Sequence, residues 1–566
     1  MTTFHSFLSS LSFPHSSPNS LNFHRGASGA GKTTLLDVIA GLKNTGVVEG
    51  KILINGQPAT KELLSAMTGY VEQFDSLFAY NTVYETLLFA ARLRLPRAIS
   101  DEIKVKIVDE IIDILDLTSM KNFLIGNAKL QGLSPAQAKR VNIGVELVAN
   151  PSILFLDEPT TGLDSKSAQT VMKVVKRIAR SGRAIICTIH QPSAELFFLF
   201  DRLLLLGSGG YPIYFGDLGR RAQGFVKYLS RCPVITPIKP RVNPASWMLI
   251  ELGVGVAAEK GDTTSRFQTT ASEDQVVIED EPEWAQLTPA QKTVQKFVKM
   301  YKMSEPFKMT QKRLAVLESI EIVDPNDETG MQKHKQEVEM AQLKRMGKKV
   351  DTGAASEQEN SVNTSKTSLP TTTIVIPPKD REIWFKQLGY LFQRNFSAYW
   401  RNQKFIYSRY LVQTILSIIF GLIYLNLKAT DVASASSLIG AIFMGVIFSA
   451  ISFMTTSIPV FFEARPTFYR EKAAKYYSPA YWAVCQLLIE MVWTIPGLIV
   501  TVIPCYFMVG MERNAGTFFV YVFATFLLFL AYLTMGMLVS SMTPNSGAAG
   551  VIAVCFFLSF NLFLSI

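Results

Sequence analysis

The last third of the chain is built for a different solvent from the rest. Tyr410–Leu427, Val432–Phe462 and Met491–Met511 are uncharged runs, and after Arg513 no side chain is charged up to Ile566. Crossing a bilayer takes about 20 predominantly apolar residues. Breaks at Lys428–Asp431, Glu463–Ser478, Glu512–Gly516 and Pro544–Gly547 divide the region into five candidate spans. A soluble helical core of this length needs polar faces, and these runs show none.

The charges around the spans set an orientation. Arg465, Arg470, Lys472 and Lys475 lie in Glu463–Tyr477, and Arg394, Arg401, Lys404 and Arg409 precede or open the first span. Basic loops mark the cytoplasmic face. The two clusters are two crossings apart, so they agree on one side. The loops near Ala429 and Glu512 then face outward, and a fifth span ends outward. This distribution absorbs the net charge of +10 without a nucleic-acid partner. Charged residues make up 18% of the chain, against a globular norm of about 25%, as a part-embedded chain requires. Glu490 falls within or at the cytoplasmic edge of the third span, where an ionised carboxylate is costly. A site role and an interfacial residue reaching water both remain open for it. Gln413, Asn426, Thr455 and Asn561 either line a cavity or act as packing glue between helices. The five cysteines are scattered and lack metal-ligand spacing, so neither a disulfide framework nor a zinc site is expected.

The first two-fifths carry different signals. Apolar strand-like runs (Ile52–Ile54, Ile153–Leu156, Ala184–Ile189, Leu203–Leu206) alternate with helical patterns such as Lys104–Leu117 and Ala138–Val148. That alternation predicts an α/β domain with a largely parallel sheet. At its start Gly26-Ala-Ser28-Gly29-Ala-Gly31-Lys32-Thr33-Thr34 fits G-x-x-x-x-G-K-[ST]. Glycines let the backbone turn its N–H groups toward phosphate oxygens, Lys32 adds a charge for the β/γ-phosphates, and Thr33 offers a hydroxyl to Mg²⁺. Such a loop should follow a buried strand. In Pro18–Arg25 only Leu21 and Phe23 are apolar apart from Pro18, too few for a central strand, so the domain is expected to begin abruptly.

Three further motifs follow in order. Tyr70-Val-Glu-Gln73 ends a strand in a glutamine able to contact Mg²⁺ and water. Ile153-Leu-Phe-Leu-Asp157-Glu158 is a buried strand whose end offers Asp157 to Mg²⁺ and Glu158 to polarise the attacking water. Cys187-Thr-Ile-His190 ends another strand with a histidine placed for the γ-phosphate. A lone acidic pair is weak evidence. Placed after the glycine loop and followed by Thr160-Thr-Gly-Leu-Asp164, it is strong.

These motifs resemble the nucleotide-binding domain of ABC transporters. The order of domains resembles the G subfamily, as do Thr188–Ser193, Ile213–Gly216, Asn243–Met248, Tyr399–Arg401 and Phe468–Lys472. The resemblance is nearest to the C-terminal half of the pleiotropic drug resistance branch. It implies ATP and Mg²⁺ as cofactors, with catalytic Glu158, His190 and Gln73, metal ligands Thr33, Gln73 and Asp157, and the phosphate cradle Gly26, Ser28, Gly29, Gly31, Lys32, Thr33 and Thr34. Asp164 falls in the family's D-loop. Leu133, Ser134 and Gln137 belong to the family's Leu-Ser-Gly-Gly-Gln signature, which completes the site of a partner domain. Here it reads Leu133-Ser134-Pro135-Ala136-Gln137. Pro135 removes an N–H and Ala136 adds a methyl, as in the degenerate second halves of full-length drug resistance proteins. A second ABC half, in cis or as another subunit, is therefore an implied partner, with membrane lipid and an amphipathic substrate.

The fold expected is an α/β P-loop ABC nucleotide-binding domain, truncated at its N-terminus, then a helical membrane domain of about five spans. The divisions are a non-family leader over 1–25, the nucleotide-binding domain over 26–255, a charged linker over 256–380 and an incomplete ABC-2 type membrane domain over 381–566. The linker contains helical stretches at Leu287–Tyr301 and Gln332–Lys349, and the polar tract Asp351–Thr373 is read as disordered. The upstream adenine-stacking aromatic, a sixth span and its external loop are not found, which reads as truncation at both ends. The function implied is an ATP-hydrolysing exporter of amphipathic compounds, drugs or lipids, multi-pass in the plasma membrane with its nucleotide domain cytoplasmic. The alternative is a truncated, membrane-anchored ATP-binding remnant without transport.

Overall fold

The computed structural model describes residues 21–26, 30–231 and 382–564, apart from 44, 55–56, 128–129, 191 and 427–430, together with 287, 289–318 and scattered positions between 235 and 248. Ser28, Gly29, Ala429, the tract Asp351–Thr373 and the helix expected over Gln332–Lys349 lie outside the described residues, as does the side chain of Asn561. The chain forms two compact units: Met1–Gln73 with Asn150–Pro377, and Phe74–Ala149 with Pro378–Ile566.

In the first unit the apolar runs form a six-stranded sheet. Its strands are β1 (Leu21–Gly26), β4 (Thr68–Val71), β5 (Ile153–Leu156), β6 (Ala184–Thr188), β7 (Arg202–Leu206) and β8 (Pro212–Asp217); β2 (Leu53–Ile54) and β3 (Gln57–Pro58) form a separate antiparallel pair. The order is β4-β5-β6-β1-β7-β8, parallel except for the antiparallel edge strand β8. A parallel sheet is buried on both faces, and Leu154–Leu156, Ile185–Cys187 and Leu203–Leu206 are accordingly buried. The helix Ser165–Arg180 buries Val171, Val174, Val175 and Ile178.

β1 corrects the sequence expectation. The stretch judged too poor in apolar residues is a central strand, pairing Leu21–His24 with Ile185–Thr188 of β6 and Asn22–Gly26 with Arg202–Leu206 of β7. Every residue but proline brings a main-chain donor and acceptor to a ladder. A central place therefore needs backbone partners on both sides rather than a wholly apolar sequence.

The second unit is helical. Val83–Arg94, Asp101–Ile114 and Pro135–Leu147 come from the segment between β4 and β5, and Trp384–Arg401 opens the C-terminal part. Among the described residues four helices are long and apolar enough to cross a membrane: Gln403–Ile423, Val432–Ala473, Pro479–Val509 and Ala515–Met542. The fifth expected span forms the apolar helix Ser546–Leu564, whose side chains are described over Ser546–Ser559. The breaks expected at Glu512–Gly516 and Pro544–Gly547 fall at the junctions between helices, while Lys428–Thr430 of the first break lie outside the described residues.

The break at Glu463–Ser478 needs correction. The helix from Val432 continues to Ala473, through Pro459 and Pro466. At about 1.5 Å per residue its 42 residues are about twice as long as a hydrocarbon core of roughly 30 Å is thick. Phe468–Lys472, expected in a loop, is therefore the end of a helix. Ala450, Phe453, Met454 and Ile458 of this helix pack in one cluster with Phe529, Leu533, Val539 and Ala553.

The charges of this unit are largely paired. Arg394 donates to Glu471, which also accepts from Tyr477. Arg401 binds Glu85 through both terminal nitrogens and donates to the Tyr80 carbonyl. Buried Lys104 meets Glu382 at 3.2 Å. Glu490 is buried rather than reaching water: it accepts from Tyr399 and, at 2.9 Å, from Arg409. Gln413 is also buried and bonded, donating to the Ser449 carbonyl and accepting from Thr501. Thr455 donates to the Ser452 carbonyl of its own helix.

Candidate nucleotide-binding site

In open α/β sheets ligands bind beyond the carboxyl ends of the strands. β1, β4, β5 and β6 run parallel. Their ends lead into Gly26–Lys32, Gln73, Asp157–Glu158 and Thr188–His190, so the topology gathers four separate motifs at one edge of the first unit.

Gly31 is the N-cap of the helix Lys32–Ile39 at φ +81°, a left-handed conformation that favours glycine. The N–H groups of a helix N-terminus form an anion site. Lys32 is buried at the start of this helix, while Thr33 and Thr34 are exposed.

The two carboxylates are held differently. Asp157 is 5% exposed, and its Oδ1 accepts from Thr188 Oγ1 at 2.6 Å and from Thr33 Oγ1 at 3.2 Å. Burial pushes its carboxyl above the ordinary range, against the downward pull of those hydroxyls. Glu158 adopts φ +44°, sparsely populated for a residue with a Cβ. Its Oε2 accepts from Gln73 Nε2 at 3.0 Å and from Thr161 Oγ1 at 2.8 Å, and its N–H donates to Thr188 Oγ1 at 2.9 Å. His190 is exposed just beyond β6. Asp164 caps the helix Ser165–Arg180 by accepting from the N–H groups of Lys166 and Ser167, and the bonds from Ser167 lower its carboxyl's pKa. Tyr70 donates to Asp37 at 2.7 Å, tying the strand before Gln73 to the helix after the glycine loop.

Thr33 and Asp157 present oxygen ligands side by side. Among the described residues no group of three or more His, Cys, Asp or Glu is arranged to hold a metal. That donor set fits Mg²⁺, which uses one or two protein oxygens and fills its shell with phosphates and water.

The signature segment lies in the second unit. Gly132 approaches the Ile125 carbonyl so closely that a Cβ there would stand 2.2 Å from the oxygen, and Leu133 N–H donates to that same carbonyl. Ser134 then caps the helix Pro135–Leu147 in a reciprocal box with Gln137, with Pro135 in the first turn. Proline is favoured there because its missing N–H has no intrahelical role, so the departure leaves the helix sound. Ala136 is buried and Pro135 exposed, which makes Pro135 the outward-facing departure.

Sequence reasoning missed Thr188, Thr161 and the Tyr70–Asp37 tie. The first two lie inside the motifs it used, and a threonine closing an otherwise apolar strand was the available signal.

Two family profiles match. The ABC transporter family covers residues 17–161, and the ABC-2 type transporter family covers residues 386–566. The chain thus joins an ATP-binding cassette to an ABC-2 type membrane domain. Among its relatives, ABC transporter G family member 36 of Oryza sativa subsp. japonica is 33% identical over 548 residues, covering 96% of this chain and 32% of that one. Pleiotropic drug resistance protein 1 of Nicotiana tabacum is 32% identical over 96% of this chain and 33% of its own length. ABC transporter G family member 35 of Arabidopsis thaliana is 32% identical over 96% and 32%. The chain carries an ABC transporter domain and an ABC-2 type transporter domain, and its homologues are G-family ABC transporters of the pleiotropic drug resistance type. It spans about a third of the length of these relatives.

Proposed function

We propose that the chain is an ATP-hydrolysing transport module that exports amphipathic compounds, drugs or lipids, acting with a second ABC half in cis or as another subunit. The observation that carries this reading is the gathering of Thr33, Gln73, Asp157, Glu158 and Thr161 at one edge of a parallel sheet, in a chain whose described residues include four span-length apolar helices. Lys32 and the N–H groups of the helix Lys32–Ile39 take the β- and γ-phosphates. Asp157 and Thr33 hold Mg²⁺, which when bound neutralises charge on the phosphate oxygens. Glu158 accepts a proton from the attacking water, Gln73 orients that water, and His190 faces the γ-phosphate. Leu133, Ser134 and Gln137 serve the partner's site, and the dyad is asymmetric because Pro135 weakens that service.

Support for transport lies in the helical unit. A groove of about 830 Å³ is lined by Val446, Tyr521, Thr525, Leu528, Tyr532 and Phe556, among others. Its apolar walls with a few hydroxyls suit an amphipathic ligand. Arg394 bonds to Glu471, so the segment before the first span and the end of the second-span helix lie at one end of the bundle. That agrees with a cytoplasmic position for both, and the proposal puts the nucleotide domain in the cytoplasm and the protein in the plasma membrane.

The test is vanadate-sensitive ATPase activity of the full chain purified with a partner half. Parent protein should turn over. Glu158→Gln should slow hydrolysis by about a hundredfold or more while ATP remains bound. Turnover of Glu158→Gln at the parent rate would exclude Glu158 as the base. Nucleotide bound by the parent without vanadate-sensitive turnover would identify a membrane-anchored ATP-binding remnant instead.

A further inference from the structure

Thr188 is a polar residue at a position that packing alone would give to valine. It closes β6 after Ile185, Ile186 and Cys187, and all four are essentially inaccessible. The register pairs Leu156 of β5 with Cys187 of β6, which sets Asp157 beside Thr188. The single Thr188 hydroxyl then makes two bonds of opposite sense. It donates to Asp157 Oδ1 at 2.6 Å and accepts from the Glu158 N–H at 2.9 Å.

We infer that Thr188 is the positioning residue of the nucleotide site, a buried hydroxyl that aims the Asp157 carboxylate at Mg²⁺ while fastening the strained turn that presents Glu158. The inference rests on the ATP-site reading above and adds to it a fully buried residue that acts through Asp157 and Glu158. Both bonds are directional. With its proton given to Asp157, the oxygen keeps lone pairs for Glu158, so one rotor setting satisfies both neighbours. The bond to Glu158 N–H supports a residue at φ +44°, a backbone that persists only when its surroundings hold it. Thr33 also reaches Asp157 Oδ1, at 3.2 Å, but the resemblance gives that hydroxyl to Mg²⁺. Thr188 lies inside the sheet and is the partner that stays. Second-layer hydrogen bonds of this kind orient metal ligands, and removing one typically costs ten- to a hundredfold in metal affinity.

The experiment uses the full chain in detergent and a fluorescent ATP analogue, titrated with Mg²⁺ and in excess EDTA. The variants are Thr188→Val, which keeps the shape, and Thr188→Ser, which keeps the hydroxyl. Thr188→Val should bind the analogue in EDTA as the parent does and lose most of the gain that Mg²⁺ brings, with the half-saturating Mg²⁺ concentration rising about tenfold or more. Thr188→Ser should restore the parent Mg²⁺ dependence. Unchanged Mg²⁺ dependence in Thr188→Val would overturn the inference and leave the ATP-site reading intact. Equal loss of binding in Mg²⁺ and EDTA would make Thr188 a packing residue and also overturn it, as would a serine variant that behaves like valine. A parent protein that binds the analogue no better with Mg²⁺ would remove both the inference and the reading beneath it.

Discussion

Breaking the buried Arg409–Glu490 pair should destabilise the helical unit far more than deleting it whole. Arg409 Nη1 and Glu490 Oε2 are 2.9 Å apart with side chains 2% and 5% exposed. Tyr399 donates to the other carboxylate oxygen, and the guanidinium lies 3.5 Å from the Phe453 ring centroid. At an effective dielectric of about 20, unit charges at this distance attract by roughly 6 kcal/mol. Taking each ion out of water costs several kcal/mol, so the net worth of the pair is near zero. Among the described residues Arg409 Nε and Nη2 have no hydrogen-bond partner, so Arg409 leans heavily on Glu490. Glu490→Leu leaves a buried cation and should cost about 3–5 kcal/mol, a fall of roughly 10 °C in the melting temperature of a unit this size. Arg409→Met with Glu490→Leu should recover most of that loss. The assay is thermal unfolding of detergent-solubilised protein for the parent, both single variants and the pair. Additive losses in the double variant would refute the reasoning, because the two groups would then not depend on one another.

Two further outcomes are expected. Burial alone raises the Glu85 carboxyl, but the bonds from Arg401 and from the Thr82 N–H bring it below its ordinary value. A carboxylate depressed in the folded state stabilises above its unfolded pKa, roughly pH 4, and that contribution is lost as pH falls through the folded value. Acid titration of thermal stability should therefore show a shallower low-pH decline in Glu85→Gln than in the parent; identical curves would remove the linkage. Pro135→Gly should restore an N–H on the outward face of the signature without altering ATP affinity at Lys32, since the proposed function has that segment serve a partner's site. A parallel change in the chain's own nucleotide affinity would argue against the asymmetric arrangement.

The sequence was most legible where one physical effect acts alone. Missing charge located the apolar helices, and Pro544–Gly547 falls where the structure ends one helix and starts the next. Charge failed as a stop signal at Glu463 because ionised side chains do not interrupt a helix, so the chain stays helical to Ala473. The orientation rule counts arginines as if each faced water. Arg394, Arg409 and Arg470 are instead buried, the first two against Glu471 and Glu490, and partners 77 and 81 residues away leave no local pattern. β1 was missed for a related reason, since its place depends on strands that arrive more than 150 residues later. In the candidate nucleotide site the motifs named Asp157 and Glu158 directly, and the structure sets both at the end of β5. Thr188 was hidden because its role depends on the register between β5 and β6 rather than on any spacing in the chain.

Binding of a fluorescent ATP analogue to the full chain, parent against Lys32→Ala, tests the nucleotide site most directly. Lys32 is buried at the first turn of the helix that follows Gly31, and the proposed function has it supply the loop's side-chain cation for the phosphates. Saturable, Mg²⁺-enhanced binding by the parent, weakened about tenfold or more in Lys32→Ala, is the result expected. Equal binding by the two proteins, or no binding by a parent that unfolds cooperatively on heating, would contradict the assignment of an ATP site to this chain.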